Sequence, residues 1–265
     1  VYTGDLRVHG VKANMTHDFV SQCREEKPEV MICEGTNISG ADVSSEDEVK
    51  TKVDKVVLGT DKLVLADFSY ADIDRFRTFY EAARDSHRRL AISMRQAYIF
   101  DKLTHIEGLN LPEIDDESLL IFQRSKKRYY KWEEEIQSHL NVKDSQDIRD
   151  LQEKVIMVCS LADLKELIDI RPESGSNFIH SSSEPVNEEG EVEFNKLLNW
   201  LDHFGLPLYQ IHCSGHIMPN EMKDIVSQIQ PKRLHPIHTE HPELFARFLG
   251  GYVEVKLPSK EPITI

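Results

Sequence analysis

Short runs of β-branched and other apolar residues alternate with segments of helical periodicity along most of this 265-residue chain. Residues 29–33, for example, predict a buried strand, and residues 72–84 predict a helix with one apolar face. Neighbouring parallel strands need a crossover connection, which is usually a helix, so this order is typical of α/β layers. We therefore expect an α/β fold with a mostly parallel sheet, and we exclude all-α and all-β folds.

The alternation is interrupted once. Between residues 107 and 154 the pattern loosens, and we expect an elaborated surface segment there, with one charged helix at residues 129–140. On either side the pattern is regular, and Ser45 with Glu48 three residues later predicts a capping box at the start of a helix. The regular part continues to a final predicted strand at residues 252–257.

Charge, cysteines and apolar runs narrow the class of protein. The chain has 46 acidic and 32 basic residues and a net charge of −14. This charge excludes nucleic-acid binding over the whole surface but allows a local basic groove. The four cysteines form no Cys-x-x-Cys pair, so we expect reduced thiols. We find no apolar run of membrane-spanning length and no signal-peptide pattern, and we expect a cytoplasmic protein.

Side chains capable of catalysis follow several predicted strands. In open α/β folds, functional residues gather where the carboxyl end of a strand turns into the next helix. Four predicted strand ends carry such side chains: Gly4-Asp5, Glu34, the pair His212 and His216, and His238 with Glu240. Imidazoles and carboxylates that converge from different strands suit Zn²⁺, which can activate water and hold a phosphate oxygen.

Each of these residues also has an ordinary structural interpretation. Asp5 after a glycine is typical of an Asx turn, and Glu34 is typical of an anion that precedes a helix. A single histidine among apolar residues is usually a hydrogen-bonded structural side chain. The combination of His212, His216 and His238 is harder to explain in that way, and it leaves a shared functional site and a structural role as open alternatives.

A second candidate region lies after the predicted strand at residues 177–180. The hydroxyl groups of Ser181, Ser182 and Ser183 and the backbone N–H groups around them could cradle a phosphate. An ordinary polar loop with serine caps is the alternative. Arg75 belongs to a set of basic residues of which most form a solvated helix face and a few could line a groove.

Taken in order, these motifs resemble the β-CASP branch of the metallo-β-lactamase superfamily. The series runs from Gly4-Asp5 and Glu34-Gly-Thr-Asn37 through Ser181-Ser-Ser183 to His212-Cys-Ser-Gly-His216 and Pro236-Ile-His-Thr-Glu240. It is most similar to ribonuclease J and its archaeal relatives, and it spans nearly the whole chain. The last two motifs, in this order and separation, are the most specific part.

The resemblance implies a role for each of five residues. Asp5 would be the carboxylate that bridges two zinc ions, and His238 would ligate one of them. Glu34 falls at an acidic motif that would hold a histidine or the metal shell, and His216 would orient or protonate the phosphate. His212 would approach the scissile phosphate or its neighbour. Arg75 and residues Ser181, Ser182 and Ser183 are expected to bind substrate.

The resemblance also implies a domain arrangement. Residues 1–38 and 205–265 would belong to a metallo-β-lactamase αββα core, and residues 39–204 to an inserted β-CASP α/β domain that closes over RNA. The family's principal zinc motif, His-x-His-x-Asp-His, lies before the Gly-Asp motif and does not occur in this sequence. We therefore expect the chain to be the carboxyl-terminal portion of a longer protein and inactive alone.

Three functions are consistent with these observations. The first is an RNA-processing metallohydrolase, a zinc-dependent ribonuclease with RNA as its partner and Zn²⁺ as its cofactor. The second is a non-catalytic RNA-binding or assembly module on the same scaffold, which the missing histidine motif favours. The third is a small-molecule hydrolase, which the long inserted domain disfavours. A homodimer is compatible with each of them.

Overall fold

The protein is described from a computed structural model, which covers residues 1–10, 12–40, 45–183, 185 and 187–259. The chain divides into two compact units. Val1–Glu46 together with Cys213–Ile265 form the first, here called the discontinuous unit, and Asp47–His212 form the second, the inserted unit. The expected boundaries lay at residues 38/39 and 204/205, so both observed junctions fall a little further along the chain.

Helices and strands alternate through the described residues, interrupted by three short 3₁₀ turns. In chain order they are α1 (Ala13–Glu26), β1 (Val30–Glu34), α2 (Glu46–Leu58), β2 (Val64–Asp67), α3 (Ile73–Asp85), β3 (Arg89–Ser93), α4 (Met94–Leu103), β4 (Leu119–Phe122), α5 (Lys131–Gln137), β5 (Val142–Lys143), α6 (Ser145–Asp150), β6 (Val155–Val158), α7 (Leu167–Ile170), β7 (Asn177–His180), α8 (Glu188–Phe204), β8 (Leu208–Gln210), α9 (Pro219–Ile229), β9 (Arg233–Ile237), α10 (Pro242–Leu249) and β10 (Glu254–Val255).

The discontinuous unit is built on a three-stranded parallel sheet in the order β1-β9-β10. The first residues of the chain run beside β1, where the N–H of Ile32 donates to the carbonyl of Val1 at 2.8 Å. Met31 and Cys33 of β1 pack with apolar side chains of the flanking helices, including Phe245. Because β1 and β9 are parallel and in register, their carboxyl ends meet at one edge of the sheet.

The inserted unit contains a seven-stranded parallel sheet in the order β5-β4-β3-β6-β2-β7-β8. From β2 the chain proceeds to β3, β4 and β5 on one side, and it then returns to β6 before it forms β7 and β8 on the other. The central strands are almost completely buried and supply much of the apolar core. Strands buried on both faces read as continuous apolar runs, as the sequence of β6 does. The prediction of an α/β fold with a mostly parallel sheet is confirmed.

Polar side chains fix where several helices of the inserted unit begin. Asp72 caps α3 by accepting the N–H of Arg75 at 2.9 Å. Ser93 caps α4 and forms a capping box with Gln96, whose Oε1 accepts the N–H of Ser93 at 3.1 Å. Ser93 is the last residue of β3, and Asp72 lies a few residues after the end of β2. The caps therefore set the turns at the carboxyl edge of the sheet.

The segment 107–154 differs from the expected surface elaboration. It contributes β4 and β5 to the seven-stranded sheet, and all four residues of β4 are buried. The charged helix expected at residues 129–140 is present but shorter, as α5. The segment is therefore part of the core architecture of the inserted unit.

The cysteines agree with the expectation of reduced thiols. All four cysteines, Cys23, Cys33, Cys159 and Cys213, are free and buried. Among the residues that the structure describes, no helix combines the length and the apolar character that crossing a bilayer requires.

Candidate functional site

The candidate site lies at the carboxyl edge of the small sheet and is centred on Glu34, the last residue of β1. Its side chain is completely buried (0% exposed) and both carboxylate oxygens are used. Oε1 accepts the N–H of Leu6 at 2.5 Å, and Oε2 accepts the hydroxyl of Thr36 at 3.0 Å. Oε2 also lies 2.7 Å from Nδ1 of His216. A buried carboxylate with this many donors is a rigid anchor for the imidazole.

Asp5 and His238 form the exposed part of the site. Gly4 has a φ of 57°, a left-handed conformation that glycine adopts without strain, and it turns the chain so that Asp5 follows. Oδ1 of Asp5 lies 3.3 Å from Nδ1 of His238 and 4.0 Å from Nδ1 of His216. The side chains of Asp5 and His238 are 63% and 51% exposed, so both are accessible to a ligand.

His238 follows β9 directly, at the position where β1 and β9 end side by side. The N–H of Gly35 donates to the carbonyl of Ile237 at 2.9 Å and joins the two strand ends. A Cβ atom on Gly35 would lie 2.7 Å from the ring of Phe245, so only glycine fits at this approach. His238 itself has a φ of 51°, which is uncommon for a residue with a side chain and marks a constrained position.

Two polar residues that the sequence did not single out as site residues hold the loop that carries His216. The amide of Asn37 donates to the hydroxyl of Ser214 at 3.0 Å and to the carbonyl of His216 at 2.9 Å. His9 lies with Nε2 2.7 Å from the carbonyl of Ser214. The only sequence signal for Asn37 is its position in Glu34-Gly-Thr-Asn37, and for His9 there is none beyond its residue type.

Four of the predicted site residues, Asp5, Glu34, His216 and His238, are therefore brought together by β1, β9 and the loop before α9. Since Nδ1 of His216 faces a carboxylate, Nε2 is the nitrogen left to exchange a proton or to bind a ligand. Burial raises the pKa of the neighbouring Cys33 thiol to about 12, so this thiol stays protonated and supplies no thiolate.

The described residues do not complete a zinc site on their own. Asp5 and His238 supply one carboxylate and one imidazole, whereas a zinc centre requires about four donors. No group of three or more His, Cys, Asp or Glu side chains placed to hold a metal is found among the residues that the structure describes. The geometry is that of an acid–base cluster with two potential metal ligands.

The other predicted residues belong to the inserted unit. His212 is its last residue and is half-buried. Arg75, which we expected to bind substrate, is almost completely buried, with only 1% of it exposed. Its guanidinium donates to the hydroxyl of Ser181 and to the carbonyl of Ile211, so Arg75 fixes the side chain of Ser181 and the backbone at Ile211. Ser181 is likewise buried, whereas Ser182 is half-buried and Ser183 is exposed.

The seven-stranded parallel sheet and the acid–base cluster at the edge of a smaller parallel sheet define an α/β protein with a candidate catalytic centre. No protein-family model matches the chain, and no curated protein matches it. Among solved structures, the chain is similar to a protein of unknown function from Enterococcus faecalis V583, with a TM-score of 0.73 and 19% sequence identity. The match covers 98% of this chain and 56% of that one, so the chain spans little more than half of that protein's length. At this identity the likeness shows a shared fold.

Proposed function

We propose that this chain is part of an RNA-processing metallohydrolase, a zinc-dependent ribonuclease of the β-CASP type that acts in the cytoplasm. The observation that carries the proposal is the convergence of Asp5, Glu34, His216 and His238 at one edge of the small sheet. The order of the motifs along the sequence supports the same conclusion.

In this proposal Asp5 and His238 are two ligands of a zinc site that needs further donors from outside the described residues. Zinc would supply a Lewis acid and an activated water. Residues of this chain would carry out the proton transfer. Glu34 orients His216 through Nδ1, which leaves Nε2 to donate a proton to the leaving oxygen of a phosphodiester. Asn37 and His9 act as positioning residues for the loop that carries this histidine.

The test compares RNA cleavage with RNA binding in the full-length protein that contains this chain. We expect His216→Ala to reduce turnover by about 10²–10⁴-fold, the usual contribution of a general acid, and to leave RNA affinity within a few-fold. Glu34→Gln should have a smaller effect in the same direction, because the amide can still accept a hydrogen bond but carries no charge.

His17→Ala is the matched control. His17 is an exposed histidine on α1 of the same unit, and it makes no side-chain contact with the cluster among the described residues. Its substitution should change neither measurement. Equal losses of cleavage and of binding in His216→Ala would contradict the catalytic role and support a binding role.

A second candidate function is a metal-free RNA-binding or assembly module. The absence of a three-ligand cluster among the described residues favours it. This function predicts RNA affinity that falls steeply with salt and does not respond to added zinc. Zinc analysis by mass spectrometry of the full-length protein and its Asp5→Ala variant separates the two functions, since only the first predicts bound zinc that the substitution lowers.

A further inference from the structure

A cavity in the inserted unit has a volume of about 380 Å³ and lies at the carboxyl ends of β2, β3, β4 and β6. The chain reverses its direction across the sheet between these strands, because β2 leads to one side and β6 to the other. In open α/β sheets, ligands bind in the crevice at such a switch point. The volume is that of a small-molecule site. None of the residues assigned to the acid–base cluster lines it.

One buried polar group among the residues that line this cavity has no hydrogen-bond partner in the described part of the chain. Gln96 lines the cavity, is only 1% exposed and uses its Oε1 to accept hydrogen bonds from Ser93. Its Nε2 is buried and has no hydrogen-bond partner. An unsatisfied buried donor costs free energy, so the position calls for an acceptor that the described protein atoms do not supply.

The charges that line the cavity are balanced, with three basic and three acidic side chains. Two pairs neutralise each other: Arg124 with Asp163 at 3.2 Å, and Lys126 with Glu133. Of the six charged side chains, Arg95 and Asp67 remain outside these two pairs, and they carry opposite charges. Arg95 lies over the ring of Tyr70 at 4.5 Å and makes no ion pair with a carboxylate among the described residues.

Asp67 supplies the negative charge that is opposite in sign to that of Arg95, and it lies at the end of β2. Its Oδ2 lies 3.1 Å from Nδ1 of His180, the neighbouring residue across the β2–β7 pair. Oδ1 has no donor among the described residues, so it can accept a hydrogen bond from a ligand.

Aromatic rings complete the lining. Phe68, Tyr70, Phe122 and Trp132 all border the cavity, and the ring of Trp132 packs against Tyr98 with centroids 5.5 Å apart. Such walls favour a flat apolar group. The cavity therefore offers a cation, a lone donor, an anion and an aromatic surface within one small volume.

We propose that this cavity binds a free zwitterionic α-amino acid with an aromatic side chain. Its carboxylate is held by Arg95 and by Nε2 of Gln96, its ammonium group by Asp67, and its ring by Trp132 and Tyr70. A phosphate dianion is disfavoured, because outside the two ion pairs the cavity offers one cation, Arg95, against two negative charges, and Asp67 would repel the dianion. The argument for this site does not rest on the proposed ribonuclease activity.

The test uses the full chain with Trp200→Phe, which leaves Trp132 as the single tryptophan, so that its fluorescence reports on the cavity. L-Phenylalanine should change the fluorescence saturably. L-Phenylalanine amide, which lacks the carboxylate, and N-acetyl-L-phenylalanine, which lacks the ammonium group, should each bind about 10-fold more weakly or worse. The analogues test the proposal without any substitution in the cavity.

Arg95→Gln and Gln96→Leu should both weaken the binding of L-phenylalanine by about 10-fold or more, with far-UV circular dichroism to verify folding. Arg84→Gln is the matched control, because Arg84 is also an exposed arginine over a tyrosine, at 5.7 Å from the ring of Tyr80, but lies outside the cavity. It should bind normally. No saturable response to L-phenylalanine up to about 10 mM, or tighter binding of adenosine monophosphate than of the amino acid, would overturn the proposal.

Discussion

Asp163 shows how a single buried carboxyl couples the stability of the inserted unit to pH. It follows β6, accepts the N–H of Ser160 at 2.9 Å and pairs with Arg124. Burial raises the pKa of Asp163, although the hydrogen bonds from Ser160 and the charge of Arg124 act in the opposite direction. The folded protein therefore holds this proton to a higher pH than the unfolded chain does.

The sign of the pH effect follows from this difference. Between the unfolded pKa, about 3.9, and the raised folded pKa, the folded state binds more protons, so its stability falls as the pH rises. Asp163→Asn carries no charge but keeps an acceptor for the N–H of Ser160. We expect the stability of the wild type relative to Asp163→Asn to decrease as the pH rises from about 4 to 7. Urea unfolding at several pH values measures this, and a pH-independent difference would contradict it.

At the same scale, the sequence located residues at strand ends better than it located contacts that form only in three dimensions. Asp5, Glu34, His216 and His238 were predicted as site residues, because each follows a recognisable strand or a small-residue turn. The burial of Arg75 could not be foreseen, since a helix pattern shows which face a residue occupies but not which loop closes over it. Gln96 was overlooked for the same reason. Its missing partner is visible only in three dimensions.

Among the elements, β4 was the strand least evident from the sequence. A run of four apolar residues is too short to distinguish a buried strand from part of a helix or an apolar turn, and acidic residues precede it. The strand expected at residues 177–180 has those bounds, although β7 is no longer than β4. A Gly-Ser turn signal precedes β7, and no such signal precedes β4.

The burial of β4 has a measurable consequence. Leu120 is completely buried between neighbouring strands, and we expect Leu120→Ala to lower the free energy of unfolding by about 2–5 kcal/mol. Leu140, which lies in the same segment and is 98% exposed, provides the control, and Leu140→Ala should change it by less than about 0.5 kcal/mol. Similar effects of the two substitutions in urea unfolding would show that the segment does not belong to the core.

At the scale of the whole molecule, each unit has its own sheet and its own apolar cluster. The cluster around Phe178 draws only on the inserted unit, and the cluster around Phe245 only on the discontinuous unit. A unit with a complete sheet and core can fold by itself. Strand β8 belongs to the seven-stranded sheet, because it pairs with β7. The expected boundary at residue 204 would have placed β8 outside the inserted unit.

We therefore expect a fragment of residues 47–212 to fold cooperatively in isolation. A fragment of residues 39–204, which lacks β8 and the buried Leu206, should unfold at a lower urea concentration. Circular dichroism during urea titration measures both. A 47–212 fragment without a sigmoidal transition, or two fragments of equal stability, would show that the unit boundaries are placed wrongly.

Glu46 and Cys213, the residues on either side of the inserted unit, touch each other: Sγ of Cys213 lies 3.0 Å from Oε1 of Glu46. When the small sheet folds, the inserted unit acts as a loop on the order of 10² residues, and the two ends of this loop must be brought together. While that loop is unfolded, its closure costs the small sheet about 2–3 kcal/mol more in chain entropy than a short turn would. Once the inserted unit has folded, it is no longer a flexible loop, so the small sheet forms without this entropic cost. A substitution that destabilises the seven-stranded sheet would therefore also lower the stability of the small sheet and of the acid–base cluster at its edge. It would do so even though the contacts within the cluster are unchanged.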